Sequence, residues 1–373
     1  MLDPRIAFLN HGSFGAVPRV VFEAHTSWRQ RIEAEPIEML YRTAPELHAN
    51  AKRAIGGTFG MAEQDFGLVT NATEGINAVL RSLELRCGDE LLTTTHVYNA
   101  VRQAMRYVAG RAGATVREID LPTPLTSPAQ IERLIVDGIS NGTKLLIVDH
   151  VTSPTALIFP VESIVAACTR RGVDVLIDGA HAPAMLPLQV ASLGAAYYAG
   201  NLHKWVCAPK GSAFLWVRPD RQSQIHPLSI SHYLGQGFAT EFSWQGTRDF
   251  AAWLAVPAAL DFLAGLGWDR IRAYNHDLAV WTQQLLCDRW GVEPITSLDG
   301  RLLGSMCTVR LPPPLDQLSA ADAGQFQRRL YHEERIEVPV MHWAGAAHAR
   351  PCCQVYNTAS QYERLAETIV GVR

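Results

Sequence analysis

The sequence predicts an α/β fold, a mostly parallel sheet covered by helices, followed by a smaller α+β unit. Three observations carry that expectation. Short runs rich in β-branched residues alternate with longer segments whose apolar residues recur at helical spacing. Two of the runs, 145–149 (LLIVD) and 173–178 (VDVLID), are almost continuously apolar, as strands buried on both faces of a parallel sheet are. Past Asp249 the alternation gives way to long helical patterns and then to short strands.

Taken in order, strands are expected at 66–70, 90–93, 115–119, 145–149, 173–178 and 213–217. Between them the apolar spacing predicts helices at 74–85, 100–110, 128–139 and 161–171. Helices at 250–266 and 268–290 follow, then short strands at 306–311, 336–340 and 354–356, with Pro312, Pro313 and Pro314 as a linker. The strands 145–149 and 173–178 each end in an aspartate. In open α/β sheets ligands sit at the carboxyl ends of strands, so Asp149 and Asp178 point toward a site.

A chain of 373 residues exceeds what one hydrophobic core usually serves, so two packed units are expected. With 48% hydrophobic and 18% charged residues it is neither disordered nor fibrous. The 33 Lys and Arg against 36 Asp and Glu leave a formal charge of -3 with no basic run, which argues against a nucleic-acid partner. No apolar run reaches the roughly 20 residues of a membrane span. Residues 1–4 lack the basic and apolar regions of a secretory signal, so a cytoplasmic protein with no membrane partner is expected. Seven scattered cysteines without a CxxC spacing read as reduced, buried thiols and not as a metal site.

The chemistry concentrates in 176–211, which holds IDGAHA, GNLHKW and APKG. A carboxylate at the end of a buried strand needs a cation or strong donors, and Asp178 is such a group. Lys204, 26 residues later in a turn bracketed by glycine and aromatic residues, suits covalent chemistry, because an amine kept from water loses its charge and forms a Schiff base. Together they fit pyridoxal phosphate: the lysine holds the aldehyde as an imine and the aspartate faces the pyridine nitrogen. His181, three residues after Asp178, is placed to reach the ring hydroxyl. The alternative for each alone is a solvated lysine and a strand-end cap. The segment TNATEG (70–75) offers a helix start after a strand, where Thr73 caps the helix and donates to a phosphate. In THVYNAV (95–101) either Tyr98 or His96 could stack on the ring. Arg350, before the run 354–356, is either a bidentate clamp for a substrate carboxylate or a solvated side chain.

These residues resemble the class V, fold-type I pyridoxal phosphate enzymes, and within them the branch similar to isopenicillin N epimerase. The segments LNHGSFG (9–15), NATEG, HVYNAV, DGAHA, GNLHKW, APKG, WQGTRD (244–249), IEVPV (336–340) and RPCCQVYNT carry the resemblance along the whole chain. It implies a large domain with a mostly parallel seven-stranded sheet and a smaller C-terminal α+β domain. The expected division is an N-terminal segment 1–20 contacting the active site, a large cofactor domain 21–249 and a small domain 250–373. Lys204 would carry the Schiff base, Asp178 the pyridinium contact, His181 the ring-oxygen contact and Tyr98 the stacking position. Ala72, Thr73, Asn201 and His203 would line the phosphate, with Gly246 and Thr247 reaching it from the neighbouring subunit of a homodimer with shared active sites. Arg350 would bind the substrate carboxylate, while Asn10 and His11 close over the substrate. The desulfurases of the superfamily carry a nucleophilic cysteine shortly before the arginine, whereas 341–349 (MHWAGAAHA) has none. Its His342, Trp343 and His348 either shape a pocket or face solvent. Cys352 and Cys353 read as packing residues. The implied activity is epimerisation or racemisation of a small-molecule α-amino acid through its α-carbanion, with C–S lyase or aminotransferase chemistry as the alternative.

Overall fold

The computed structural model of the chain describes residues 1–371. It opens with β1 (Ala7–Phe8), the short helix α1 (His11–Phe14) and two longer helices, α2 (Arg19–Ala34) and α3 (Ala44–Phe59). The central sheet then forms from β2 (Phe66–Val69), β3 (Glu90–Thr94), β4 (Thr115–Ile119), β5 (Thr143–Asp149), β6 (Asp174–Asp178), β7 (Tyr197–Asn201) and β8 (Ala213–Val217). Their spatial order is β2-β8-β7-β6-β5-β3-β4, and only β8 runs against the other six. Helices α4 (Ala72–Ser82), α5 (Asn99–Ala112), α6 (Pro128–Asp137) and α7 (Val161–Arg170) make the crossovers.

Both faces of the sheet are buried, for the reason the apolar runs gave. Along β5, Leu146 and Val148 enter one apolar core, while Leu145 and Ile147 enter another on the opposite face. Downstream come α8 (Phe238–Ser243), α9 (Ala251–Leu254), α10 (Val256–Leu266) and the long α11 (Trp268–Trp290). Helix α10 packs on α2, α3 and α11. The C-terminal region adds β9 (Val309–Arg310), α12 (Ala320–Glu334), β10 (Ile336–Glu337), β11 (Val340–Trp343), β12 (Ala346–Ala349) and α13 (Ala359–Gly371). Strands β11, β12 and β9 form an antiparallel sheet, and β1 pairs in parallel with β10. The start of the chain is thereby tied to its C-terminal region.

Four expectations change. The run 197–201 is a strand that its Ala- and Gly-rich surroundings hid, since pairing with β6 and β8 and not β-branched content defines it. The expected strand 354–356 is a turn, held by the Gln354 N–H donating to Asn357 Oδ1 and the Asn357 N–H to the Gln354 carbonyl. The run 336–340 divides between β10 and the first residue of β11, and 306–311 keeps only β9 as a strand. Among the described residues no single helix is long and apolar enough to cross a membrane.

Candidate active site

A pocket of about 360 Å³ opens at the carboxyl ends of β5, β6 and β7, where parallel strands present their last side chains to a ligand. Asp149 and Asp178 end β5 and β6 and are register partners, so they stand side by side. Strand β7 ends at Asn201 and feeds a tight turn, in which Leu202 N–H donates to the Ser212 carbonyl and Ala208 N–H to the Leu202 carbonyl. Lys204 rides on that turn and projects into the pocket.

The surroundings of Lys204 lower its basicity. Trp205 Nε1–H donates to His181 Nδ1 at 3.3 Å, and an indole N–H can only donate. The neutral imidazole therefore carries its proton on Nε2, which lies 3.1 Å from Lys204 Nζ. A deprotonated Nζ accepts there with its lone pair. Burial, then Arg350, pull Lys204 down to about 8 against the opposing Asp178, so the amine gives up its proton close to neutrality. Burial, then Lys204, hold His181 well below the usual imidazole range, which keeps it neutral. An uncharged lysine amine in a cleft is a nucleophile and a base.

Asp178 is buried, and burial raises its proton affinity, opposed by the Ala180 N–H that donates to Oδ1 at 3.0 Å and by Lys204. Opposite it, α4 points its positive end at the pocket. Asn71 caps the helix by accepting from Glu74 N–H at 2.8 Å, and Ala72 N–H donates to Asn201 Oδ1 at 2.8 Å. With those two donors engaged, Thr73 is the first-turn residue left for an anion, and it lines the pocket. His203 lines it as well, with Nδ1–H donating to the Ser212 carbonyl at 3.1 Å and its basicity lowered to about 4 by burial and by Lys204.

The model of the family "Aminotransferase class-V" matches residues 15–358. The chain belongs to this family. It is 35% identical to an isopenicillin N epimerase of Amycolatopsis lactamdurans, covering 99% of this chain and 95% of that protein. To a putative L-cysteine desulfhydrase of Oryza sativa subsp. japonica it is 31% identical, covering 98% and 82%. Among solved structures, a mutant of C-DES with glycine covalently linked to its PLP cofactor superposes with a TM-score of 0.85 at 21% identity, over 98% of this chain and 96% of that one. The chain is thus a fold-type I, pyridoxal phosphate-dependent class V enzyme. Its residues fit the cofactor: an amine of lowered basicity for the aldehyde, a buried carboxyl for the ring nitrogen and a helix start for the phosphate.

In this class V enzyme the structure gathers Ala72, Thr73, Tyr98, Asp178, His181, Asn201, His203 and Lys204 around one pocket. Tyr98, at the start of α5, is 44% exposed there, while His96 is buried beneath it against Thr155 and the Leu121 carbonyl. Arg350 is buried beside the pocket, donating to Ser153 Oγ at 3.1 Å, and its Nε has no partner among the described residues. Gly246 and Thr247 lie between α8 and α9 and do not line the pocket of their own chain.

Asn10 and His11 do not line it either. Asn10 Nδ2 donates to Glu337 at 2.8 Å. The His11 ring is fully buried under the lysine turn, because the β1–β10 pairing pins the segment there. Ala16 N–H donates to its Nδ1 at 3.2 Å, so the proton sits on Nε2 and is donated to the Lys204 carbonyl at 3.0 Å. His11 thus braces the main chain of the lysine turn. Residues 341–349 form most of the β11–β12 hairpin, where His342 is exposed, Trp343 packs on His96 and His348 is buried. Cys352 and Cys353 are buried, Cys352 Sγ accepting from Gly12 N–H at 3.3 Å. Among the described residues no group of side chains is placed to hold a metal ion. Ser153 and Lys210 line the pocket without having been singled out in the sequence. Ser153 lies in the loop after β5, and a serine in a turn carries no signal of its own.

Proposed function

We propose that the enzyme epimerises or racemises an α-amino acid, removing the α-proton to Lys204. The observation that carries this is the buried Lys204 amine, 3.1 Å from His181 Nε2 in a pocket that also presents Asp178. A basicity of about 8 suits a proton acceptor working near neutrality. Pyridoxal phosphate, when bound, supplies a conjugated ring that delocalises the electron pair left at the α-carbon. Asp178 holds the proton of the ring nitrogen, His181 donates Nε2–H to the ring oxygen once the lysine is engaged, and Tyr98 covers one ring face. Thr73, Ala72, Asn201 and His203 surround the phosphate. Arg350, with Ser153, holds the substrate carboxylate so that the α-proton faces Lys204.

The identity to isopenicillin N epimerases of Amycolatopsis lactamdurans and Streptomyces clavuligerus, 35% and 33%, supports epimerisation among the reactions open to this site. The identity to plant L-cysteine desulfhydrases, 30–31%, favours a second reading, expulsion of a β-thiol. The cysteine-free hairpin 341–349 speaks against a persulfide-forming variant of it. We place the working unit as a homodimer in which Gly246 and Thr247 of each chain reach the partner's cofactor phosphate. Their position away from their own pocket supports that arrangement.

Incubation of the cofactor-loaded enzyme with L-amino acids and cysteine conjugates in deuterated water tests the reading. Deuterium at the α-carbon with inversion, absent in Lys204→Ala, is the expected outcome. Pyruvate with released thiol moves the enzyme to the lyases.

A further inference from the structure

Asp149 is a buried ionisable group that the reaction above leaves unused. It is 2% exposed, lines the lysine pocket and lies in register with Asp178 on the neighbouring strand. Its Oδ2 meets neither solvent nor any hydrogen-bond donor among the described residues. Among the described residues no lysine or arginine is hydrogen-bonded to it. Lys204, from the turn after β7, bonds to His181 instead. Arg102, on α5, is engaged by both oxygens of Glu118 at 3.0 Å. Arg350 donates to Ser153, and Tyr98 offers the carboxyl only its main-chain N–H. The adjacent His150 turns to the Tyr198 hydroxyl at 3.0 Å, and burial lowers it to about 4.

Two adjacent carboxyls in such a place do not both ionise, because each charge forfeits its hydration and repels the other. The two are unequally supported. Asp178 accepts the Ala180 N–H and faces Lys204, whereas Asp149 Oδ2 accepts nothing. Burial, then Asp178, push Asp149 well above the carboxylate range against its own and the Tyr98 main-chain N–H and Arg102, while burial raises Asp178 against Ala180 and Lys204. We propose that Asp149 is a positioning residue for the cofactor: it keeps the single proton of the Asp149–Asp178 pair and donates it in a hydrogen bond that holds Asp178 as the anion facing the ring nitrogen. The proton is shared and not transferred, so no co-reactant is needed. The proposal rests on pyridoxal phosphate as cofactor and not on which reaction follows.

The test needs no substrate, so its failure is separable from failure of the epimerase reading. Wild type, Asp149→Asn and Asp149→Ala are loaded with pyridoxal phosphate, and the cofactor Kd and the pH midpoint of the visible absorbance band are measured. Asparagine keeps an uncharged donor of the same size, so the expected midpoint stays within about half a pH unit of wild type. Alanine removes the donor, and loss of one hydrogen bond to a charged group predicts a Kd raised about tenfold or more. A midpoint that falls further in Asp149→Asn shows that an anion was removed and overturns the proposal. Wild-type cofactor affinity in Asp149→Ala overturns it too. Should the alanine variant not fold, the asparagine titration alone decides the charge state.

Discussion

Lys204 shows how single residues acquire their chemistry from their neighbours. Nothing in GNLHKW states how readily the amine loses its proton; burial, with His181 at 3.1 Å from Nζ and Trp205 Nε1–H holding His181 Nδ1, decides it. The linkage has a definite sign. A lysine whose basicity falls from 10.5 to about 8 on folding binds fewer protons in the native than in the unfolded state between those pH values. Stability of the cofactor-free protein therefore bears the full penalty below about pH 8 and recovers as pH climbs to 10.5. Lys204→Met carries no such penalty. Its cofactor-free form should melt above wild type at pH 7, with the gap closing toward pH 10.5, and parallel melting curves across that window would refute the linkage. Asp178 was legible because it ends an apolar strand, and His181 and Lys204 because they follow it at short spacings in IDGAHA and GNLHKW. His11 was legible as a participant and not in its task, because the direction of its ring depends on the pairing of β1 with β10.

Secondary-structure elements explain how the lysine turn is held. The segment after α1 runs directly beneath it: Gly15 has φ +63°, and a Cβ there would run into the main-chain carbonyls of His203 and Lys204, 2.7 Å from the latter. Lys210 Nζ donates to the Gly15 carbonyl at 2.6 Å, closing the contact from the other side. Gly15→Ala combines a left-handed backbone with a backbone collision, so it is expected to cost more than about 2 kcal/mol. Because the strain falls on the lysine turn, the variant should also lose visible cofactor absorbance per protomer out of proportion to its drop in Tm. Equal loading with wild type would show that the segment is merely a neighbour. The crossover helices and most sheet strands were readable from periodicity, while α2, α3 and β12 were not singled out and β7 lacks a strong local signal. Their form comes from partners distant in sequence.

At the scale of the whole molecule, apolar surface is left uncovered on one side. Ile37, Tyr41, Ile230, Tyr233 and Leu234 are exposed, and Tyr41 and Tyr233 border a groove of about 630 Å³ with Leu40 and Trp244. A patch of that kind marks an association surface, and Gly246 and Thr247 follow Trp244 directly. The homodimer proposed above covers this face. Light scattering on the loaded enzyme should give twice the mass of the 373-residue chain. Thr247→Ala should weaken cofactor binding several-fold, as loss of a hydrogen bond to a charged group does. A monomer with full cofactor occupancy would end the proposal.

The sequence by itself determined the α/β class, the strand ends that carry Asp149 and Asp178, the lysine turn and the family. Those features are local: apolar period, strand-end carboxylates and motif order are written in consecutive residues. The tertiary structure alone decided what the side chains do to one another. It set the proton on His181 Nε2, lowered the basicity of Lys204, turned His11 to the lysine carbonyl and left Asp149 beside Asp178 with Oδ2 unpartnered among the described residues. Burial and opposing charge set these protonation states, and both depend on groups brought together by the sheet and not by the chain order.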